Sequence, residues 1–385
     1  MTRARDLANF ADGTIGDVSG NVTGNVTGNI NGLTPQASNM QPFNRIINGA
    51  MTVDQRNAGA AVAFTSAAYC LDRWVGAVGT ASGTTIQRST TATTGFSNSA
   101  LITIGTGAAP SSGAVNRIYQ VIEGYNIADL SWGTASAATV TLSFWVRSSV
   151  IGTFSGALYG ASTIQSYPFN YTISVADTFE RKTVTITGPT TGTWGDTNGT
   201  GLYLNFDLGS GTSFKTSAGS WSTGTFIGAT SSVDLCATTG ATFYITGVQL
   251  EAGSTASSFA HEFVGDTLQK CQRYYQKTYD YGTAVGASTE LGWAWYGTDY
   301  DVGITSTFQS QGIRFETTMR NPPTMVSYDS QGNSGKCTRY RVGSGPSNNN
   351  AASIDLITTK SFRHFGQGTA GTGNIAFHYK ADAEL

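Results

Sequence analysis

The residues in this sequence best suited to chemistry are aromatic rather than catalytic. They cluster in residues 292–301, GWAWYGTDYD, where Trp293, Trp295 and Tyr296 precede Asp299 and Asp301. In a strand alternate residues share a face, so Trp293 and Trp295 point the same way, and polar acceptors follow at once. Flat rings suit saccharides, because a sugar's apolar C–H face stacks on them while its hydroxyls bond nearby polar groups. Trp293, Trp295, Tyr296 and Asp299 are therefore the candidate glycan-binding set. Trp132, Trp194 and Trp221 also lie in or near loop-like stretches, although a single Trp is more often core than site. Paired acids beside aromatics would also serve a glycosidase. One strand would hold Asp299 and Asp301 only about 6–7 Å apart on one face. Nothing marks either as the acid, and a solvated strand face is the commoner reading.

Other catalytic patterns fail on context. Residues 366–371 read GQGTAG, but a strand-like IAFHY follows where a dinucleotide site needs a helix. GNSGKC at 332–337 has too few residues between its glycines for a P-loop. His261-Glu262 lacks the second His of a metalloprotease motif, and no nucleophile elbow occurs. Cys70, Cys236, Cys271 and Cys337 are widely spaced with no C-x-x-C pair, so free, largely buried thiols are expected rather than a zinc site. No catalytic residue, resident metal or cofactor is expected.

A β scaffold must position the aromatic segment. Glycine is frequent, 48 of 385 residues, and charged residues make up 12%. That composition, rich in Ser, Thr and Asn, fits short strands and turns better than helices. A net charge of −2 without a basic cluster argues against nucleic-acid binding. No apolar run approaches the ~18 residues of a membrane span. The opening MTRARDLANFADG lacks the apolar core of a signal peptide.

Residues 242–279 are the joint of the chain. Phe243 and Ile245 share one strand face; Gly247 then slips the phase, and Val248 and Leu250 carry the apolar face onward, a bulge pattern. A short helix follows, with Asp266 as its expected cap and Gln269 in capping-box position. Leu268, Cys271 and Tyr275 would form its buried stripe. The expected domains are a large β domain over 40–262 and a smaller one, with the helix, over 263–385.

Ahead of them lie a small amphipathic start, 1–17, with Leu7 and Phe10 as contacts, and an arm, 18–39. Within the arm, residues 18–33 repeat with a period of four: VSGN, VTGN, VTGN, INGL. Extended, this places Val18, Val22, Val26 and Ile30 on one face, with glycines between them. A lone strand of this kind would not be stable. Three copies burying Val and Ile on a common axis would be; a flexible Gly/Asn linker is the alternative. The Asn-x-Thr triplets are read as an accident of the repeat rather than as glycosylation acceptors.

Between 40 and 262, strands are expected at 84–88, 100–104, 117–122, 138–146, 167–175, 180–186, 201–208 and 241–250. Val140, Leu142, Phe144 and Val146 would face inward, with Thr141, Ser143, Trp145 and Arg147 outward. Leu202, Leu204, Phe206 and Leu208 would share one face. So many short strands imply an all-β two-sheet sandwich, read as a jelly roll. Asp196 and Asp207 would then be the acids of a structural calcium site, with a plain turn the commoner reading. After the joint, strands are expected at 313–315, 324–328, 338–342, 353–357 and 375–379, forming a smaller β-sandwich. GSGPSNNNAA at 343–352 reads as a loop and Asn321-Pro322-Pro323 as a turn.

Several phrases in combination resemble bacteriophage tail-fibre and receptor-binding proteins whose body is similar to a carbohydrate-binding jelly-roll module. They include NRIINGAMTVDQRN, CLDRWVG, RIYQVIEG, SFWVRSS, FERKTVTITGPTTGTW, GATFYITGVQLEAG and KCQRYYQKTY, with FETTMRNPPTM and a closing HYKADAEL. MTRARDLANFADG resembles the particle-attachment start of such fibres. The resemblance implies a homotrimer on a virion, made in the host cytoplasm. Leu7 and Phe10 would contact tail or baseplate proteins, and Val18, Val22, Val26 and Ile30 would form the trimer arm. The C-terminal and jelly-roll domains would bind host-surface polysaccharide without enzymatic activity. A structural capsid or neck fibre, and a fibre-borne depolymerase, are the alternatives.

Overall fold

The computed structural model describes residues 44–63, 66–297, 306–341, 343–368 and 372–385. The arm positions Val18, Val22, Val26 and Ile30, the attachment positions Leu7 and Phe10, and the acids Asp299 and Asp301 lie outside the described residues.

The fold is all-β, as the composition implied. One antiparallel sheet has, in spatial order, Val62–Ala63, Thr85–Ser89, Ser99–Thr103, Thr242–Ala252, Val140–Ser148 and Glu180–Ile186. A second has Ser222–Thr223, Gln165–Ile173, Gly152–Gly160, Thr200–Asp207, Asn116–Glu123, Trp74–Val78 and Ala68–Leu71. From Asn116 onward the chain crosses between the sheets repeatedly, the wrap of a jelly roll. The inner faces meet in a ring-rich core. Phe144 packs on Phe206 at 5.0 Å and Phe154 on Phe243 at 6.0 Å, each pair bridging the two sheets.

Alternation explains which side chains enter that core. Val140, Leu142, Phe144 and Val146 are fully buried, as are Leu202, Leu204, Phe206 and Leu208. Each such side chain contributes about 1.5–3 kcal/mol. Thr141 and Ser143, expected to face solvent, are buried too. The chain after Ala252 folds back over them. Thr141 donates its hydroxyl to the Gly253 carbonyl at 2.8 Å, and the Gln249 amide donates to Ser257 Oγ at 2.8 Å.

The joint carries its bulge. The register of Thr242–Ala252 against Val140–Ser148 slips between Thr246 and Gln249, where Gly247 has φ +60°. A Cβ there would lie 2.6 Å from the Phe96 ring and 3.0 Å from Trp145. Gly247→Ala is therefore expected to lower stability by about 1–3 kcal/mol in urea unfolding. An unchanged midpoint would mean that neither the positive φ nor the ring contact is enforced.

The helix, Val264–Gln272, corrects the expectation in two respects. Phe263 is its N-cap and no side chain caps it; Asp266 lies in the first turn, where its charge complements the helix dipole. Thr267 and Cys271 are the helix's buried residues, whereas Leu268 is half-buried. Tyr275 has already entered the strand Tyr275–Lys277, which pairs with Lys380–Asp382. That pairing captures the chain before another helical turn can form.

The C-terminal sheet is built on one long strand, Thr372–Asp382. Along its length it pairs with Tyr275–Lys277, Ala294–Gly297, Thr324–Tyr328 and Lys336–Arg341. Pro346–Asp355 and Ser361–Gly368 extend the sheet, and Ser306–Gln309 and Ile313–Arg314 pair with the latter. Phe362, Ile375, Phe377 and Tyr379 centre a separate core. GSGPSNNNAA is not a loop: from Pro346 it is strand, paired with Lys336–Arg341 up to Ala351 and with Ser361–Gly368 from Ala352. Main-chain pairing there replaces the missing apolar side chains.

A buried seam of charge joins this sheet to the sandwich. Arg56 pairs with Asp382 at 3.0 Å and with Glu384 at 3.1 Å, and Arg73 pairs with Glu384. Their guanidiniums lie over Tyr275 at 3.8 Å and Tyr274 at 3.5 Å. Arg273 holds Glu123, which also accepts from the Tyr274 hydroxyl at 2.6 Å. Burial pushes Asp72, which accepts from Gln55, up to about 6.

Candidate functional site

The aromatic segment enters the C-terminal sheet as the strand Ala294–Gly297. Gly292, at φ +83° and against the Thr278 carbonyl, makes the turn that lays Trp293 on the sheet. The register then fixes the face. Trp295 stands opposite Ala376, which stands opposite Thr338. Gly297 stands opposite Asn374, which stands opposite Tyr340. The small residue in mid-row, Ala376, leaves a trough between the large rings. The result is an open groove of about 320 Å³ lined by Trp293, Trp295, Tyr340, Asn374 and Ala376.

Its walls are set by ring packing and one hydrogen bond. Trp293 meets Tyr340 edge-on, with centroids 5.6 Å apart and planes at 83°. The Tyr340 hydroxyl donates to Glu290 at 3.0 Å. Burial, with Glu290 alongside, pushes that hydroxyl up to about 12, so it stays a neutral donor. Trp295 is 64% exposed, a large ring offered to solvent. Exposed indole, trough and amide together can stack a sugar ring and bond its hydroxyls.

Of the expected set, Trp293 and Trp295 come together on this groove. Tyr296 does not, since alternation turns it to the opposite face. There its hydroxyl donates to the Phe308 carbonyl at 3.1 Å and lies 3.3 Å from His364 Nδ1. Asp299 lies outside the described residues. The polar partners that the sequence did not reveal are Asn374 and Tyr340, brought in by strand register, and Glu290 from the segment ahead of the strand.

Three other Trp residues form a plug. Trp132, Trp194 and Trp221 pack edge-on with centroids 4.9, 5.6 and 5.3 Å apart. Each indole N–H donates to a carbonyl, those of Ala138, Thr191 and Thr187.

The calcium reading fails on distance. Asp196 precedes the strand Thr200–Asp207 and Asp207 ends it, so the length of the strand separates them. Asp207 is buried and already accepts from the Ser210 N–H at 2.7 Å, with Lys215 Nζ at 3.5 Å. Among the described residues no group of three or more His, Cys, Asp or Glu could hold a metal. All four cysteines are free and buried.

No family model matches the chain, and no curated protein matches it in sequence. Solved structures that align with it include the enzymatically active domain of bacteriophage CBA120 tailspike protein 4. That match has 14% identity and a TM-score of 0.31, covering 55% of this chain and 21% of the other. The CBM22-1 xylan-binding domain from Paenibacillus barcinonensis Xyn10C aligns at 10% identity and TM-score 0.27, covering 52% of this chain and 99% of the other. A family 11 carbohydrate-binding module from Clostridium thermocellum aligns at 8% identity and TM-score 0.25, covering 49% and 91%. The scores are too low for these likenesses to carry a functional reading.

Proposed function

We propose that this chain is a bacteriophage tail fibre or receptor-binding protein that attaches the particle to host-surface polysaccharide. The observation that carries the reading is the solvent-open groove of Trp293 and Trp295, with Tyr340 and Asn374 as its polar partners. The fibre phrases of the sequence supply the virion context. The N-terminal arm, through Val18, Val22, Val26 and Ile30, makes the homotrimer, and Leu7 and Phe10 meet the tail or baseplate. Binding, rather than hydrolysis, is the role of the groove. Glycoside cleavage ordinarily needs two carboxyls flanking the bond, whereas among the described residues the acid beside the groove is Glu290, which is engaged by Tyr340.

One such site binds weakly. Three copies per fibre and several fibres per particle raise avidity by ~10²–10⁴ where geometry allows simultaneous contact. The test is binding of the purified chain to an array of bacterial surface polysaccharides. Trp293→Ala with Trp295→Ala is expected to lower retention by about 10-fold or more with an unchanged melting temperature. Undiminished retention would clear the groove of this role. Release of reducing ends from a bound polysaccharide would replace attachment by depolymerisation.

A further inference from the structure

A second aromatic surface lies on the outer face of the seven-stranded sheet. Val75, Ala77, Tyr119 and Val121 form a cluster separate from the sandwich core, with Tyr69 and Tyr203 packed against it. Leu202, Leu204 and Phe206 point into the core, so alternation turns Tyr203 and Asn205 outward. Their neighbours in register are Val121 and Tyr159 for Tyr203, and Tyr119 and Ala157 for Asn205. A row of rings results: Tyr159 to Tyr203 at 5.4 Å, and Tyr203 to Tyr119 at 5.9 Å.

Arg117 stands over this row. Its guanidinium lies 4.0 Å from the Tyr119 ring centroid and 6.0 Å from that of Tyr203. Asn205 holds it there. The Asn205 amide is fully buried and donates to the Ala157 carbonyl at 3.1 Å, which turns its Oδ1 toward Arg117 Nη1 at 2.7 Å. The arginines of the seam, Arg56, Arg73 and Arg273, are each neutralised by a carboxylate. Arg117 forms no ion pair among the described residues, for its cross-strand partner Asp207 is engaged by Lys215 at 3.5 Å. A half-buried cation fixed on an aromatic floor, with no carboxylate of the described residues in ion-pair reach, is an arrangement that an incoming carboxylate completes. A charge-assisted hydrogen bond is about twice as strong as a neutral one, and arginine keeps its charge at any working pH.

We propose that this face is a second saccharide site, selective for acidic sugars, in which Tyr203 and Tyr159 stack the ring and Arg117 takes its carboxylate. It shares no residue with the Trp293–Trp295 groove, so either site stands or falls without the other.

The test is titration calorimetry of the full chain with trigalacturonic acid and with sialyllactose, beside their neutral counterparts, carboxyl-reduced trigalacturonic acid and lactose. At least one acidic saccharide is expected to bind about 10-fold or more tightly than its counterpart. Arg117→Met should abolish that preference, whereas Trp295→Ala should leave it intact. Equal affinity for acidic and neutral forms, binding of neither acid, or an Arg117→Met variant that keeps the preference would overturn the assignment. If Arg117→Met does not fold, the wild-type salt dependence decides. Affinity for the acid should fall as salt rises, and salt-insensitive binding would overturn the proposal. Self-association of the wild type, lost in Arg117→Met and without saccharide binding, would assign the face to a second copy instead.

Discussion

Glu384→Ala is expected to lower the unfolding free energy by about 3–5 kcal/mol, the loss found when one partner of a buried ion pair is removed. The Glu384 side chain is 4% exposed and serves two arginines, Arg56 and Arg73, whose side chains are 12% and 1% exposed. Its removal leaves Arg73 over the Tyr274 ring with no carboxylate, and Arg56 with Asp382 as its remaining partner. The main chain around it is held separately, because Arg320 donates to the carbonyls of Ala383 and Glu384 at 2.8 and 2.9 Å. The loss is therefore that of an orphaned charge rather than of a detached tail. A second substitution separates the two. Adding Arg73→Met to Glu384→Ala removes the orphan and should recover part of the stability. Urea unfolding of the full chain measures both. A Glu384→Ala midpoint matching wild type would reduce the seam to the ~0–1 kcal/mol of exposed pairs.

That seam was not legible in the sequence, and the reason is general. Arg56, Arg73, Glu123 and Glu384 are scattered singly along the chain, and isolated charges read as solvated surface. The sandwich was legible where one face is wet and the other dry, as in Glu180–Ile186, or where an apolar period of two persists, as in Thr200–Asp207. It failed where alternation is absent. Trp74–Val78 is buried throughout, and Gly152–Gly160 interleaves Gly, Ser and Ala with Phe154 and Leu158. The Gly247 slip was readable because a bulge leaves its mark within one strand. Trp293 and Trp295 were readable for the same reason, being two apart. The same period already sends Tyr296 to the other face, so its inclusion with them followed from proximity in sequence, not from geometry. Tyr340 and Asn374 join the groove through strand register, which depends on partners far along the chain.

The strand beneath the groove makes stability depend on acid, and His364→Phe is expected to flatten that dependence. His364 is fully buried and stacked on Phe377 at 3.6 Å, with planes at 6°. Burial pulls its ring from 6.5 down to about 3. A depressed histidine favours the folded state fully above 6.5, and its contribution is lost as pH falls from there toward about 3. Within that window it removes about 1.4 kcal/mol per pH unit. His378, stacked on Tyr279, shifts in the same direction, again chiefly by burial. Asp72 opposes them. Its folded-state value is raised from 3.8 to about 6, so the folded protein takes up a proton early and gains stability as pH falls through that interval. Near pH ~5 up to two lost terms stand against one gained, leaving wild type a net slope of at most about 1.4 kcal/mol per pH unit. His364→Phe removes one lost term and should bring that slope close to zero or reverse it. At neutral pH the variant should remain as stable as wild type. Phenylalanine keeps the stack and removes a buried Nε2 that has no hydrogen-bond partner, while Tyr296 keeps the Phe308 carbonyl. Urea midpoints across this window give the answer, and parallel curves for the two proteins would remove His364 from the acid response. Tyr296 links the effect to the groove, because it follows Trp295 on the strand Ala294–Gly297 and its ring packs edge-on against His364. Saccharide retention by wild type should therefore fail over the same pH range, and His364→Phe should extend it.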